Sequence, residues 1–214
     1  MNDDQTNGLD QSIIDSFWER KSQEESNRWT SSELFEFEYE RLTAYAKSGG
    51  YLLDLGAGSG ELSRALAGSL MTLTAVDYQG AYAKAFTARN HSFVCSRVQD
   101  YLSSNVYNLI LLMGVVTHLE PAVERKVYLN SGLMLDTHGT FVVKNQCSRS
   151  AGFSVQGFSE ALGSDYCGRY PSVEEQQSVL LEYFEKVEIL KYPSKFNTWA
   201  DSFHVMFLAS RSKR

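Results

Sequence analysis

Apolar positions along the chain follow two patterns. The first is a helical spacing near the start, and the second is an alternation of strand-like and helical segments after it. Four apolar residues recur at helical spacing ahead of a pair of glycines at 49–50: Phe35, Tyr39, Leu42 and Ala46. This spacing predicts a helix with one apolar face, and the glycine pair is typical of a helix end. The N-terminal part of the chain is therefore expected to be helical.

From residue 51 onward, five short apolar runs alternate with helical patterns. The runs are YLLDL, LTAVD, SFVCSRV, YNLILLMGVV and TFVVK. Continuous apolar strands separated by helices are typical of βαβ units, in which helices cover both faces of a parallel sheet. Two further runs, KVEILKY and FHVMFLASR, close the chain with a short connector between them. The prediction is an α/β fold with a seven-stranded doubly wound sheet, mostly parallel, with one antiparallel strand near the C-terminus.

Composition and charge narrow the class of protein. The chain has 214 residues, of which 43% are hydrophobic, and its formal net charge is −6. An acidic balance disfavours a nucleic-acid partner, and no apolar run is long enough to predict a membrane span. The start, MNDDQTNGLDQS, is too polar for a signal peptide. The three cysteines form no CxxC pair, which favours a reducing cytoplasm and predicts no metal site.

The most informative segment is a glycine loop between the first predicted strand and the following helix. It reads D-x-G-x-G-x-G, with Asp54, Gly56, Gly58 and Gly60 at the fixed positions. Glycines allow sharp turns and close approach of a ligand to the backbone. Glu61 stands where the dinucleotide fingerprint has its third glycine, and a carboxylate beside a pyrophosphate is unfavourable. The loop therefore predicts a ligand other than a dinucleotide, although glycines that only form a turn remain an alternative.

This loop resembles the first motif of the class I, Rossmann-like S-adenosylmethionine-dependent methyltransferases, small-molecule type. The resemblance extends in order over residues 50–146: Asp77 ends the second strand, S-R-V-Q-D follows the third, and Y-N-L-I-L-L-M-G is similar to the fourth-strand segment. It implies S-adenosyl-L-methionine as the cofactor and Asp77 as the acceptor for the ribose hydroxyls. The cofactor-binding residues implied are Asp54, Gly56, Ala57, Gly58, Asp77, Tyr78, Val98, Gln99 and Met113. Asp54 is expected to serve either the loop or the cofactor's ammonium, and Tyr78 either to stack near the adenosine or to pack.

His118 is the candidate catalytic residue. It follows the fourth strand, and a histidine suits removal of a hydroxyl proton near neutral pH. A structural role at a helix start is an equal alternative. The fourth strand ends in Leu-Met-Gly without a carboxylate, so the acidic metal site of catechol-type methyltransferases is missing. The absence of N-P-P-Y, D-P-P-Y and Pro-Cys motifs disfavours DNA methylation.

These observations predict one methyltransferase domain over residues 1–214. Its parts are an N-terminal helical cap (1–48), a cofactor-binding core (49–146), a substrate lid insertion (147–171) and a C-terminal helix and strand pair (172–214). The lid carries aromatic residues that would suit a sugar, a nucleotide sugar or a natural product. The expected reaction is metal-independent methylation of a hydroxyl of such a small metabolite, by a monomer or a homodimer. The alternatives are N-methylation of a small amine, or a non-catalytic cofactor-binding partner of an active homologue.

Overall fold

A computed structural model describes residues 8–23, 31–197 and 199–213 of the chain. The α-helices are α1 (Gln11–Gln23), α2 (Ser32–Thr43), α3 (Glu61–Ala67), α4 (Pro121–Met134) and α5 (Val173–Tyr183). The strands are β1 (Tyr51–Leu55), β2 (Thr72–Asp77), β3 (His91–Cys95), β4 (Tyr107–Met113), β5 (Leu135–Ser148), β6 (Phe153–Ser159), β7 (Ser164–Tyr170), β8 (Phe184–Lys191) and β9 (Ser202–Ser212). Three short 3₁₀ turns cover Gly80–Ala85, Val116–His118 and Ser194–Phe196. Within these ranges, no helix combines the length and the apolar character that crossing a membrane requires.

Seven strands form one sheet in the order β3-β2-β1-β4-β5-β9-β8. The first five are mutually parallel, and β9 runs antiparallel to both β5 and β8. The predicted sheet, mostly parallel with one antiparallel strand near the C-terminus, is confirmed.

Alternate residues of the central strands enter two separate cores. Leu53, Ile110 and Val143 belong to the core that also contains residues of α4 and α5. The residues that precede them, Leu52, Leu109 and Val142, belong to the opposite core, beneath α2 and α3. Since successive strand side chains point to opposite faces, a strand buried on both faces must be apolar throughout. The continuous apolar runs of the sequence are therefore explained, and helices on both faces are confirmed.

Two segments differ from the sequence-based expectation. The stretch AYAKAFTARN, which has a helical pattern, forms only the 3₁₀ turn at Gly80–Ala85, and Phe86 leaves this turn to stack on Phe93. Residues 147–171 show no clean period in sequence, yet they include the antiparallel hairpin β6–β7. Its register pairs Phe153 with Tyr170, whose rings stack with centroids 5.0 Å apart. A hairpin built from polar strands gives little hydrophobic alternation to detect.

Helix α5 begins with a capping box, for which Ser172 and Glu175 have the typical S-x-x-E spacing in the sequence. The Ser172 hydroxyl accepts a hydrogen bond from the Glu175 N–H at 3.1 Å, and the Glu175 carboxylate accepts one from the Ser172 N–H at 2.7 Å. Both contacts satisfy backbone donors that the first helical turn leaves unpaired.

Helix α5 offers a matched test of the core. Leu180 is completely buried beside the sheet, whereas the adjacent Leu181 is 37% exposed. We expect Leu180→Ala to lower the free energy of unfolding by about 2–5 kcal/mol, because it leaves a cavity. Leu181→Ala should change it by about 0.5 kcal/mol or less. Urea denaturation of both variants checks this, and equal losses would contradict the core described here.

Candidate functional site

The glycine loop forms a left-handed bend between β1 and α3. Gly56, Gly58 and Gly60 have φ values of +73°, +53° and +64°, a region that side chains of other residues rarely adopt. A Cβ on Gly56 would lie 2.4 Å from a methyl of Val115, and one on Gly60 would lie 2.4 Å from the ring of Phe86. The loop therefore requires glycine at both of these positions for space as well as for conformation.

Asp77, at the carboxyl end of β2, holds this bend. One carboxylate oxygen accepts a hydrogen bond from the Gly58 N–H at 2.9 Å, and the other accepts one from the Gln79 N–H at 2.9 Å. Burial raises the pKa of Asp77, while these backbone donors act against that shift. A carboxylate has about four lone-pair positions, so beside its backbone donors, which include the Tyr78 N–H, it can still accept from a ligand hydroxyl such as one of a ribose.

Asp54 lies beneath the loop and lines neither of the two cavities described below. Burial raises its pKa to about 7, which the Ser63 hydroxyl opposes and the nearby Asp77 reinforces. Of the two roles expected for Asp54, this position favours support of the loop. Direct contact with a ligand in either cavity has no geometric support.

The first cavity opens at the carboxyl ends of β1, β2 and β4, and it measures about 860 Å³ out to its open mouth. Seven of the nine residues expected to bind the cofactor line it: Gly56, Gly58, Asp77, Tyr78, Val98, Gln99 and Met113. The structure thus brings together segments that are far apart in sequence.

Helix α1 covers this cavity with Gln11, Ile14 and Trp18. It is fastened there by an ion pair of 2.8 Å between Asp15 and Arg97, and the Arg97 guanidinium lies 4.9 Å from the centre of the Tyr78 ring. Sequence analysis did not assign this helix to the site. A helical cap was the expectation, but which of its side chains face the cavity depends on tertiary packing.

A second cavity adjoins the first and shares four residues with it: Trp18, Met113, Gly114 and His118. Ala57 and the start of α3 form one wall, and α2, β5 and β9 form the other. Met113 thus faces both cavities, and Ala57, expected to bind the cofactor, faces the second. A ligand in the first cavity that extends to Gly114 would therefore place its end at the border of the second cavity.

His118 stands at the junction, in the 3₁₀ turn after β4. Its ring packs against three aromatic rings, with centroid distances of 5.4 Å to Trp18, 5.6 Å to Tyr166 and 6.4 Å to Phe17. Nδ1 lies 3.1 Å from the carbonyl oxygen of Cys167. Because a carbonyl only accepts, Nδ1 carries the proton and Nε2 keeps its lone pair. Burial lowers the pKa of His118 to about 4, so the ring is neutral at pH 7.

A polar cluster lines the second cavity opposite the glycine loop. Lys144 of β5 and Glu38 of α2 form an ion pair of 2.6 Å, and the Tyr192 hydroxyl donates to the same Glu38 oxygen at 3.0 Å. His204 of β9 also lines this cavity, and its ring lies 5.7 Å from that of Tyr192. Neither Lys144 nor His204 is among the site residues expected from the sequence. Their convergence with Glu38 was not visible from spacing, because three distant segments supply them.

The hairpin β6–β7 contributes less to the cavities than the aromatic content of residues 147–171 suggests. Tyr166 lines the second cavity, and its hydroxyl lies 2.9 Å from that of Tyr170. Arg169 is turned away into an ion pair with the buried Glu124. Phe158 is 68% exposed. The hairpin acts on the site mainly through Tyr166 and through the Cys167 carbonyl that holds His118.

Comparisons with known proteins agree with this geometry. Residues 53–131 match the family described as "Methyltransferase domain". No curated protein sequence matches the chain.

Solved structures share the fold at low sequence identity. A Burkholderia thailandensis 1,6-didemethyltoxoflavin-N1-methyltransferase, solved with S-adenosylhomocysteine and 1,6-didemethyltoxoflavin, has a TM-score of 0.74 at 18% identity, covering 94% of this chain and 88% of that one. The glycopeptide N-methyltransferase MtfA has a TM-score of 0.61 at 14% identity, covering 82% of this chain and 90% of that one. The N-terminal domain of EvdMO1, solved in the presence of S-adenosylhomocysteine and D-fucose, has a TM-score of 0.67 at 11% identity. The match covers 96% of this chain and 99% of that one. These likenesses establish the Rossmann-like methyltransferase fold.

Asp77 provides a direct test of the first cavity. Asp77→Asn removes the charge and one of the two acceptor oxygens that already hold backbone donors. We expect it to weaken binding of S-adenosylhomocysteine by about tenfold or more, because hydrogen bonds to a charged group are worth about 1.5–3 kcal/mol. Asp100→Asn removes an exposed ion pair with Lys126 and lies outside the residues that line the cavity, so it should leave binding nearly unchanged. Calorimetric titration measures both, and equal affinities would contradict the assignment.

Proposed function

We propose that the chain is a class I S-adenosylmethionine-dependent methyltransferase and that it methylates a hydroxyl of a small metabolite without the help of a metal. A sugar, a nucleotide sugar or a natural product would be the acceptor class. The observation that carries the proposal is the meeting of two cavities at Met113, Gly114 and His118. One has the features of a cofactor site, and the other is lined by aromatic and polar side chains suited to a small acceptor.

The residues of the first cavity fit the cofactor. The free lone pairs of Asp77 would accept the ribose hydroxyls, Val98 and Gln99 would flank the adenine, and Gly56 and Gly58 would admit the ligand close to the backbone. S-adenosylmethionine supplies an electrophilic methyl group on a sulfonium sulfur. The protein's first task is alignment of donor and acceptor, which can contribute about 7–11 kcal/mol relative to the bimolecular reaction.

His118 would take the proton of the acceptor hydroxyl. Its Nε2 lone pair is available at neutral pH because the Cys167 carbonyl holds the proton on Nδ1 and because burial keeps the ring neutral. A base of pKa about 4 is weak, so we infer that the proton leaves as the carbon–oxygen bond forms rather than before it. The carbonyl of Cys167 would then stabilise the charged imidazolium.

N-methylation of a small amine is the second candidate. The same low pKa of His118 favours it, because a neutral amine has its own lone pair and needs positioning more than a base. Two of the structural neighbours reported above are N-methyltransferases by name. The acceptor atom therefore has to be decided by experiment.

His118→Gln separates the two reactions once an acceptor has been found by screening for S-adenosylhomocysteine release. For a hydroxyl acceptor we expect kcat to fall by about 10²–10⁴, which is typical when a general base is removed. For an amine acceptor the loss should be below about tenfold. His138→Gln serves as the control, because His138 is exposed near the start of β5 and lines neither cavity. A loss below tenfold with a hydroxyl acceptor would remove His118 from the proposed role.

The protonation state of His118 is testable without an acceptor. We expect its ring to stay neutral from pH 7 down to about pH 5, because burial lowers its pKa to about 4, below the ordinary value of about 6.5. Nitrogen-15 NMR, assigned with the His118→Gln spectrum, should show a proton on Nδ1 and none on Nε2. A titration midpoint at or above pH 6.5, or a proton on Nε2, would be inconsistent with the geometry described.

A further inference from the structure

The Glu38 carboxylate is buried, and its ion pair and its hydrogen bond both involve the same oxygen. Its side chain is 6% exposed and that of Lys144 is 12% exposed. Both Lys144 and the Tyr192 hydroxyl contact Oε1. In the part of the chain that the structure describes, no side chain or backbone donor is recorded on Oε2 of Glu38. Since Glu38 lines the second cavity, Oε2 is the atom through which it can receive a donor from a ligand.

His204 adds a second incompletely paired group beside Glu38. Its Nδ1 is buried and has no hydrogen-bond partner among the described residues. Burial and the neighbouring Lys144 lower the pKa of His204 to about 4. The ring is therefore neutral at pH 7 and brings no positive charge to the cavity.

The charge balance of the second cavity follows from these contacts. Among the described residues that line it, Lys144 is the one Lys or Arg, whereas both Glu38 and Glu61 bring carboxylates. Glu38 already pairs with Lys144. A buried charge without full hydrogen bonding is costly, so a further donor on Glu38 is stabilising. A second carboxylate or a phosphate would instead meet Glu38 at short range without a cation of its own.

We propose that Glu38 is a specificity-determining residue that anchors the acceptor through a hydrogen-bond donor, an amine or a hydroxyl, and that disfavours acceptors bearing a carboxylate or phosphate at that place. The inference rests on the proposed function for the identity of the second cavity as the acceptor site. Within the acceptor classes considered, it favours neutral or cationic molecules over nucleotide sugars, whose diphosphate would lack a partner in this cavity.

The experiment uses three probes with one ring and one changed group: benzylamine, benzyl alcohol and benzoate. Ligand-observed NMR measures their affinity for the full chain, with and without saturating S-adenosylhomocysteine. The wild type should bind benzylamine and benzyl alcohol about tenfold or more tightly than benzoate. Glu38→Gln should bring this preference below about threefold, since a charge-assisted hydrogen bond is lost. Glu40→Gln, an exposed residue on the same helix with the same change in charge, should keep it.

Removing Glu38 alone leaves Lys144 unpaired and could prevent folding. The double variant Glu38→Gln/Lys144→Met removes both charges and should lose the preference in the same way. The preference of the wild type is measured first and needs no variant, and the two Glu38 variants then test whether Glu38 causes it. Benzoate binding as tightly as benzylamine, no binding of either donor probe, or an unchanged preference in the folded Glu38 variants would each overturn the proposal.

Failure of the proposed function gives a different result. If the wild type does not bind S-adenosylhomocysteine, methyl transfer from this cofactor is refuted, while the probe preferences of the chain alone still decide the role of Glu38. A different outcome is that S-adenosylhomocysteine binds normally to both the wild type and Glu38→Gln, while the two proteins show the same probe preference. In that case only the inference about Glu38 fails.

Discussion

The structure depends on the contact between the Asp77 carboxylate and the Gly58 N–H. It ties the end of β2 to the left-handed bend that follows β1, and so fixes the edge of the sheet where both cavities open. The bend is possible because Gly56, Gly58 and Gly60 occupy a backbone region closed to most other residues. Asp54 lies buried beneath it. A ligand at this edge would meet backbone and carboxylate groups that are already in position, which lowers the cost of ordering them on binding.

The second organising feature is the closure of this edge by elements remote in sequence. Helix α1 lies over the first cavity through the Asp15–Arg97 ion pair, and its aromatic residues enclose His118 together with Tyr166. The Cys167 carbonyl sets the tautomer of His118. The site therefore has a polar wall at Asp77, a desolvated histidine at the junction and a charged pair, Glu38 and Lys144, at the far side. Such a division suits one ligand held by its polar groups in the first cavity and a second ligand in the adjoining cavity.

Much of the fold could be predicted from the sequence. Continuous apolar runs identified the buried strands, and the capping box at Ser172 identified the start of α5, because these signals are local. The hairpin β6–β7 and the short turn at Gly80–Ala85 were missed. The hairpin strands lack clean alternation, and Phe86 is drawn out of a helix by its packing against Phe93. In the site, seven of the nine residues expected to bind the cofactor face one cavity, whereas Asp54 and Ala57 do not.

The sequence by itself determined the bend, the five strands up to β5 and the acid opposite the bend, because each depends on a short segment with its own stereochemical requirement. Only the tertiary structure decided which nitrogen of His118 carries the proton, which face of α1 covers the cavity and which residues meet at Glu38. These features depend on contacts between segments that are distant along the chain, such as Glu38 with Tyr192 and His118 with Cys167. No local pattern encodes such contacts, since burial and hydrogen-bond geometry are set only when the layers pack together.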